Sequence, residues 1–270
     1  MKPDRSQGQN FVIDETVITD MVRAAGIVPG ARVLEIGPGF GSLTIALLEA
    51  GATVVAVEQD RRLIPALHKL TSVYPPLHLV TGDIFQVRRA LPLLIQDGTY
   101  QLVSNLPYNI TSRVLREFLE TQPRPTSVTV LVQQEVAERV IAPAGAMSVL
   151  SVAVQLYADS EIVRLVPPSS FWPAPAVTSA ILHLTKIGSD VHGFLKTLKP
   201  YSAADFFRLV KIGYSGRRKQ LHNTLAAGLK LSNQEVQKTL LSAKISPESR
   251  PQTLTIRDWI RVVHAFMKKQ

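Results

Sequence analysis

The four residues Asn105, Leu106, Pro107 and Tyr108 combine groups that could hold an amine for attack on an electrophilic carbon. The Asn oxygen and a neighbouring backbone carbonyl can each accept one N–H of an exocyclic amine. This would aim the nitrogen lone pair and stabilise the positive charge that develops. Pro107 would rigidify the loop, and Tyr108 would offer a flat face to an extruded base. The tetrapeptide alone also fits a turn that contains Asn105 and Pro107, with a packing tyrosine, so its surroundings must decide.

A glycine-rich loop in EIGPGFGSLT (35–44) lies between an apolar run and a helical pattern. Gly37 and Gly39 let the backbone turn tightly and approach a ligand at the helix N-terminus. Glu58, 21 residues after Gly37, and Asp83 each end a later apolar run, where a carboxylate can bind a nucleoside. The G-x-G-x-G spacing is not that of a dinucleotide loop. Together with the Asn-Leu-Pro-Tyr segment, it favours an amino-group methyltransferase over a dehydrogenase.

These motifs need elements that bring them together, and the sequence alternates apolar runs with helical patterns. Strands are predicted at 31–37, 53–58, 77–83, 100–106 and 127–133, with helices at 42–51 and 61–70. Near-continuous Val, Ile and Leu in such strands are typical of a parallel sheet covered on both faces. A strand pair at 162–167 and 179–185 is expected to close one edge. We therefore predict an α/β fold with a Rossmann-like sheet of the class I methyltransferase kind.

From about residue 188 the pattern becomes helical, with helices predicted at 191–199, 203–213, 217–229, 233–243 and 255–268. We predict two domains: 1–187 binds the cofactor, and 188–270 is a small all-helical domain that binds RNA. Residues 188–270 carry 15 Lys and Arg against 5 Asp and Glu, whereas residues 1–187 carry 15 against 16. A polyanion such as nucleic acid is the natural partner of such a basic segment, although a solvated basic face would have the same composition.

The basic run Arg217, Arg218 and Lys219 is interpreted as a phosphate contact, and His222 and Asn223 could add hydrogen bonds to RNA. Cysteine is absent, which excludes disulfides and thiol catalysis. The 6 histidines show no metal-ligand spacing, so no metal is expected. No apolar run reaches membrane-spanning length, and the first residues lack a signal core, so a cytoplasmic protein is expected.

The chain resembles the family of ribosomal RNA small-subunit adenine N6,N6-dimethyltransferases of the KsgA (RsmA) type. The resemblance covers nearly the whole chain, in the right order. It is carried by GQNFV (8–12), EIGPGFGSLT (35–44), VEQD (57–60), TGD (81–83), NLPYNI (105–110), VQQEVAERV (132–140), FWPAPAVTS (171–179), RRKQLHNTL (217–225) and RPQTLTIRDW (250–259).

The resemblance implies S-adenosyl-L-methionine as the methyl donor. The implied substrate is two adjacent adenosines in a hairpin near the 3′ end of small-subunit ribosomal RNA, within a pre-30S particle. A monomer is expected. Leu106 would supply a backbone carbonyl, and Tyr108 and Phe171 would sandwich the target base. The residues implied to contact the cofactor or frame its pocket are Asn10, Val12, Gly37, Gly39, Glu58, Asp83 and Asn105.

Departures from the family pattern bear on RNA contacts more than on chemistry. Val12 replaces the usual Leu, and Ala176 stands where a Lys is common. The segment 141–151 is shorter than its usual counterpart. Two alternative functions stay open: a large-subunit rRNA adenine dimethylase of the macrolide-resistance type, and a non-catalytic RNA-binding assembly or transcription factor. The basic helical tail favours the small-subunit enzyme over the first, and the intact glycine loop and NLPY favour retained chemistry over the second.

Overall fold

The computed structural model describes residues 9–88, 99–187, 193–216 and 218–268. Within these residues, runs of Val, Ile and Leu form the strands, and a helix follows most of the strands. The strands are β1 (Phe11–Val12), β2 (Arg32–Ile36), β3 (Thr53–Glu58), β4 (Leu77–Thr81), β5 (Gln101–Asn105), β6 (Ser127–Gln133), β7 (Asp159–Val166), β8 (Phe171–Trp172) and β9 (Ser179–Thr185). The helices are α1 (Glu15–Ala25), α2 (Ser42–Glu49), α3 (Ile64–Val73), α4 (Ile84–Val87), α5 (Thr111–Glu120), α6 (Gln134–Ile141), α7 (Val149–Gln155), α8 (Phe194–Leu198), α9 (Ala203–Gly213), α10 (Leu221–Leu229), α11 (Asn233–Ser242) and α12 (Ile256–Met267).

Seven of these strands form one mixed sheet in the order β4-β3-β2-β5-β6-β9-β7. The first five pair in parallel, whereas β9 pairs antiparallel with both β6 and β7. The predicted α/β fold and the predicted closing strand pair are thereby confirmed. A separate two-stranded ribbon pairs β1 with β8, with Phe11 opposite Trp172 and Val12 opposite Phe171.

The strand order reverses between β2 and β5. From β2 the chain moves outward through β3 to β4, then returns to place β5 on the other side of β2. In open α/β sheets, ligands bind at such a switch point, outside the carboxyl ends of the strands. The two loops that leave this point are the glycine loop after β2 and the Asn-Leu-Pro-Tyr loop after β5.

The core of the sheet-containing part packs α1 and α2 against the sheet. Val17 and Met21 of α1 and Leu47 of α2 are fully buried together with Val54 of β3. The side chain of Asp14 caps α1 by accepting from the Thr16 backbone N–H, and Gly26 ends it in the left-handed conformation. Among the described residues, no helix combines the length and apolar character needed to cross a bilayer.

The described residues fall into two units, one within Met1–Glu138 and Asp159–Gly188 and the other within Arg139–Ala158 and Ser189–Gln270. The sheet lies in the first unit. The second unit contains α7 as well as α8 to α12, so residues 139–158 group with the helical part although they precede the last two strands of the large sheet. The division of function between 1–187 and 188–270 stays a prediction.

Three helices of the second unit, α9, α11 and α12, start with strong capping groups. Ser202, Ser232 and Thr255 each accept from the backbone N–H three residues later, while Asp205, Glu235 and Asp258 bond back to the cap. Trp259 of α12 is fully buried in this unit and stacks on Tyr214, with ring centroids 5.9 Å apart. The predicted helices are present among the described residues, and most are shorter there by one to a few residues. Residues 191, 192 and 217 of two predicted helices lie outside the described residues.

We expect Gly213→Ala to destabilise the helical unit by roughly 1–3 kcal/mol, the usual scale of overpacking. A Cβ at Gly213 would lie 2.3 Å from the Trp259 indole, and that ring is fully buried. Urea unfolding should show a lower midpoint. Gly216→Ala is the matched control, because the atoms nearest its added Cβ include the flexible Lys219 side chain at 3.1 Å. Equal midpoints for the Gly213→Ala variant and the wild type would contradict this packing.

Candidate active site

A cavity of about 250 Å³ opens at the switch point of the sheet. Its wall consists of loops that follow β2, β3, β4 and β5, together with the segment that leads into β1. The lining includes Gln9, Asn10, Phe11, Gly37, Gly39, Glu58, Gln59, Asp83, Phe85, Asn105, Leu106, Pro107, Tyr108, Asn109 and Arg113. The glycine loop and the Asn-Leu-Pro-Tyr loop therefore face the same space.

The loop after β2 requires glycine for two reasons: its backbone conformation and the lack of space for a side chain. Gly37 and Gly39 have φ of 69° and 62°, in the left-handed region that other residues rarely adopt. A Cβ at Gly39 would lie 2.9 Å from the Phe11 ring. The Gly37 N–H donates to the Val57 carbonyl at 2.8 Å, which ties the loop to the end of β3. The two glycines thus bring the loop backbone to the cavity wall without side chains of their own, and the Phe11 ring packs against it at Gly39.

Glu58 is buried at the end of β3 and is held by backbone donors. One carboxylate oxygen accepts from the Asp60 N–H at 2.8 Å and the other from the Gly39 N–H at 3.3 Å. Burial raises the pKa of Glu58, and these backbone hydrogen bonds oppose the rise. Each oxygen has a second lone pair, so the carboxylate can also accept from ligand hydroxyls at the cavity wall.

Asn105 ends β5 and is oriented by the segment before β1. Its Nδ2 donates to the Asn10 carbonyl oxygen at 2.8 Å. A carbonyl oxygen can only accept, so the atom facing it must be the amide nitrogen. Oδ1 is therefore the acceptor end of Asn105, and the side chain lines the cavity. This is the orientation that an acceptor for an amine N–H would need.

The residues after Asn105 form part of the cavity wall, and hydrogen bonds hold them in place. Leu106 is buried, and its N–H donates to Leu131 O at 3.2 Å. The Pro107 carbonyl accepts from the Ile110 N–H, which closes a turn. The Tyr108 hydroxyl hydrogen-bonds Ser179 Oγ at 2.6 Å. Burial raises the pKa of Tyr108, so its ring stays a neutral phenol at the cavity edge.

Six of the seven residues implied to contact the cofactor line this cavity, namely Asn10, Gly37, Gly39, Glu58, Asp83 and Asn105. Asp83 also caps α4, by accepting from the Phe85 N–H at 2.9 Å. Val12 does not line the cavity; it pairs with Phe171 and packs against the core. Phe171 is 3% exposed and belongs to that core, so the proposed sandwich on the target base stays a prediction for this residue.

Several cavity residues were not singled out from the sequence. Gln9 donates to Asp60 Oδ2 at 2.7 Å, and Asp60 also binds Arg62. The hydrogen bonds from the Arg62 side chain hold the pKa of Asp60 well below its usual range. Arg113 lies over the Phe85 ring, 3.6 Å from its centroid. Such contacts join residues far apart in the chain, and no local spacing indicates them.

The predicted RNA-contact residues lie in the helical unit. Arg218, Lys219 and Asn223 are exposed at the start of α10, and Arg217 lies outside the described residues. Their neighbour His222 is buried and hydrogen-bonds the Pro247 carbonyl at 2.8 Å through Nδ1. His222 therefore has a packing role, and the exposed residues around it are the ones available to a ligand.

The cavity fits a nucleoside-bearing methyl donor. It offers a backbone cradle at two glycines, a buried carboxylate at Glu58, and a second carboxylate at Asp83. A parallel sheet with an antiparallel closing pair, this cavity at its switch point and an oriented Asn-Leu-Pro-Tyr loop together define a Rossmann-like methyltransferase.

Comparison with known proteins narrows this class. A family model described as ribosomal RNA adenine dimethylase matches residues 2–268. A ribosomal RNA small subunit methyltransferase A of Dehalococcoides mccartyi is 39% identical over 259 residues, covering 96% of this chain and 87% of the relative. Its counterpart in Desulfitobacterium hafniense is 40% identical over 273 residues, covering 99% and 93%. The chain belongs to the ribosomal RNA adenine dimethylase family.

Solved structures agree with this assignment. A dimethyladenosine transferase from Plasmodium falciparum has a TM-score of 0.78 at 24% identity, covering 96% of this chain and 98% of its own, which supports the fold. The 23S rRNA methyltransferase ErmE has a TM-score of 0.69 at 25% identity, covering 95% and 99%. The family, the fold, the enzyme class and the S-adenosyl-L-methionine donor predicted from the sequence are confirmed.

Glu58→Ala is expected to weaken S-adenosyl-L-methionine binding by about 1–3 kcal/mol, the scale of hydrogen bonds to a charged group. Titration calorimetry measures this directly. Glu49→Ala, which removes an exposed carboxylate on α2, is the matched control. Because Glu58 also holds the Gly39 and Asp60 N–H groups, the variant's fold should be checked by circular dichroism. Unchanged affinity in a folded Glu58→Ala protein would contradict the assignment.

Proposed function

We propose that this chain transfers methyl groups from S-adenosyl-L-methionine to N6 of two adjacent adenosines in a hairpin near the 3′ end of small-subunit ribosomal RNA. Four transfers complete the two dimethyladenosines. The observation that carries the proposal is the orientation of Asn105, whose amide nitrogen is committed to Asn10 at 2.8 Å, so that its oxygen is the acceptor end.

The bound donor supplies an electrophilic methyl group on a sulfonium. Glu58 and Asp83 hold the nucleoside part, and the glycine loop lets it approach the backbone. In the first transfer to each adenosine, Asn105 Oδ1 and the Leu106 carbonyl each accept one N–H of the adenine amino group. In the second transfer, the monomethylated nitrogen has one N–H left, and one of these two oxygens accepts it. The nitrogen lone pair, otherwise delocalised into the ring, is then aimed at the methyl carbon. The new N–C bond forms as the S–C bond breaks, and the nitrogen afterwards releases a proton to solvent.

The two oxygens stabilise the transition state more than the ground state. Positive charge appears on the nitrogen only as the methyl group moves, so preorganised acceptors lower the barrier. Because these acceptors are neutral, no strong base is required before attack. Tyr108, whose hydroxyl is hydrogen-bonded to Ser179, would stack on one face of the extruded adenine. For Phe171 to complete the predicted sandwich, its side chain must reach the other face of that base.

The small-subunit substrate is favoured over the large-subunit one by the relatives at 38–40% identity, which are named for the small subunit. The basic excess of residues 188–270 supports contact with RNA phosphates. We propose further that the enzyme acts as a cytoplasmic monomer on a pre-30S particle.

The decisive experiment is methyl transfer from labelled S-adenosyl-L-methionine to small subunits purified from a strain lacking this activity, with mapping of the modified base. Large subunits from a strain lacking adenine dimethylation serve as the parallel substrate. Label at N6 of two adjacent adenosines in the small subunit is expected. Label only in the large subunit would support the macrolide-resistance alternative, and no label in either would support a non-catalytic factor.

The basic residues at α10 give a separate prediction about RNA affinity. Replacing Arg218 and Lys219 by Ala should weaken RNA binding and lower the slope of log affinity against log salt by up to about 2, since each lost phosphate contact removes about 0.9. Cofactor affinity should stay unchanged. Lys69→Ala, an exposed cation on α3, is the control. A double variant with the wild-type salt slope would show that these two residues are solvated surface.

A further inference from the structure

Three aromatic side chains form a cluster beside the cavity. The Phe11 ring lies 4.6 Å from the Phe40 ring and 6.5 Å from the Trp172 ring, centroid to centroid, and its plane is tilted by only 25° from that of Trp172. Trp172 is 48% exposed and Phe40 is 44% exposed. No other Phe, Tyr or Trp among the described residues is exposed. Exposed aromatic surface concentrated in one place indicates a binding surface.

This cluster, which we call the aromatic platform (Phe11, Phe40 and Trp172), is continuous with the cavity. Phe11 lines the cavity, and its ring packs directly on Gly39 of the glycine loop. Trp172 stands opposite Phe11 in the β1–β8 ribbon. Asn10, which precedes Phe11, carries the carbonyl that orients Asn105. The platform is thus one residue removed from a group that positions the reacting amine.

We propose that the aromatic platform stacks an unpaired nucleobase of the RNA next to the adenosine being methylated, with Trp172 as its main contact. This inference rests on the proposed function, in which two adjacent adenosines react in turn. When one base is extruded into the cavity, its neighbour loses a stacking partner. An exposed aromatic face at the cavity edge replaces that partner, and any base can stack there because every base has a π-face.

A second consequence concerns the positioning of Asn105. A base bound to Trp172 holds the β1–β8 ribbon, and the ribbon leads directly into Asn10. Binding of the neighbouring base would therefore maintain the arrangement, already present without RNA, in which the Asn10 carbonyl fixes the Asn105 amide. Trp172 is a substrate-contact residue in this scheme, and Phe11 and Phe40 are the rings that support it.

Intrinsic fluorescence reports on the platform, because the chain has 2 tryptophans and the other, Trp259, is fully buried in the helical unit. The probe is an RNA hairpin with two adjacent unpaired adenosines, titrated into the full-length protein with bound S-adenosyl-L-methionine. Stacking should quench Trp172 emission. The quenching should disappear in Trp172→Phe and should be reduced when the nucleotide beside the target adenosine is replaced by an abasic one.

Affinity measurements separate stacking from apolar bulk. Trp172→Leu should bind the hairpin about 5- to 150-fold more weakly, equivalent to loss of one base stack, whereas Trp172→Phe should retain most of the affinity. Val163→Ala, which truncates a 43% exposed side chain on β7, is the control and should bind normally. Equal affinities for Trp172→Leu and the wild type would overturn the proposal. So would quenching that depends on protein concentration without RNA, since that outcome assigns the platform to a second copy of the chain.

Failure of this inference can be told apart from failure of the proposed function. If the wild type methylates small subunits and Trp172→Leu does so at the same rate under subsaturating RNA, only the platform is wrong. If the wild type methylates no RNA, the proposed function is wrong as well. A reduced rate for Trp172→Leu that is restored in Trp172→Phe supports the platform.

Discussion

An Asn105→Ala variant is expected to transfer methyl groups to saturating RNA roughly 100- to 1,000-fold more slowly than the wild type, by analogy with removal of one preorganised oxyanion donor. RNA affinity should change little. The reason is that the Asn105 oxygen acts on charge that appears only as the methyl group moves. Groups that act in the transition state lower the rate more than the affinity when they are removed.

The geometry of the loop after β5 indicates that Asn105→Ala should remove only the acceptor that Asn105 provides. Its amide nitrogen is fixed by the Asn10 carbonyl, so the oxygen is preorganised without help from the substrate. The neighbouring backbone is held independently, by Leu106 N–H to Leu131 O and by the turn at Pro107. Truncation at Asn105 should therefore leave the Leu106 carbonyl in place, and the remaining activity reports on that second acceptor.

Single-turnover methylation of small subunits measures this rate, with RNA and cofactor binding determined separately. Asn109→Ala is the matched control, because Asn109 is the same residue type in the same loop, lines the cavity and is exposed. It should react at nearly the wild-type rate. A near-normal single-turnover rate for Asn105→Ala would remove the main reason for assigning N6 chemistry to this loop.

The parts of the site that follow strand ends could be predicted from the sequence. Gly37, Glu58, Asp83 and Asn105 each lie at or just after the end of a strand, and parallel strands bring their carboxyl ends to one edge. Strong apolar runs fixed those strands, including β3, β6 and β9, whose bounds match the predicted ones residue for residue. The local sequence pattern was sufficient to predict these site residues, because the pairing of parallel strands brings the residues at their carboxyl ends to the same edge of the sheet.

Contacts that depend on tertiary packing could not be predicted. The bond from Gln9 to Asp60 joins residues 51 positions apart, and neither residue type signals the other. The motif alone predicts Phe171 at the target base, and that role stays a prediction; the register that pairs Phe171 with Val12 and the packing of its side chain in the core are not indicated by the motif. Residues 139–158 precede two strands of the sheet yet group with the helical unit, a long-range arrangement that no composition change marks.

The second large effect is expected in the pH dependence of stability and comes from Glu35. This residue lies on β2, fully buried, and its carboxylate accepts from the Thr44 hydroxyl at 2.6 Å. Burial raises the pKa of Glu35 to about 8 from an ordinary value of 4.5, with a further contribution from repulsion by Glu58 and an opposing one from Thr44. Between those two values the folded protein keeps a proton that the unfolded chain releases.

The sign of the effect follows from proton linkage. Because the folded state binds more protons in this window, the contribution of Glu35 to the free energy of unfolding falls as pH rises from about 4.5 to about 8 and levels off above it. The slope is roughly 1 kcal/mol per pH unit within the window. Glu35→Gln cannot release a proton, so this contribution is absent from the variant.

Urea unfolding of the wild type and Glu35→Gln between pH 5 and pH 9 tests the expectation. The wild type should lose stability relative to the variant as pH rises, by several kcal/mol over the window. A constant offset between the two is allowed, because the Gln amide has two N–H donors that need acceptors, whereas the protonated carboxylic acid has one O–H donor. Glu49→Gln, at an exposed position on α2, should instead follow the wild type at every pH. Parallel wild-type and Glu35→Gln curves would mean that Glu35 is ionised in the folded protein throughout. The Thr44 hydroxyl and the neighbouring backbone would then have to stabilise a buried charge beside the cofactor loop.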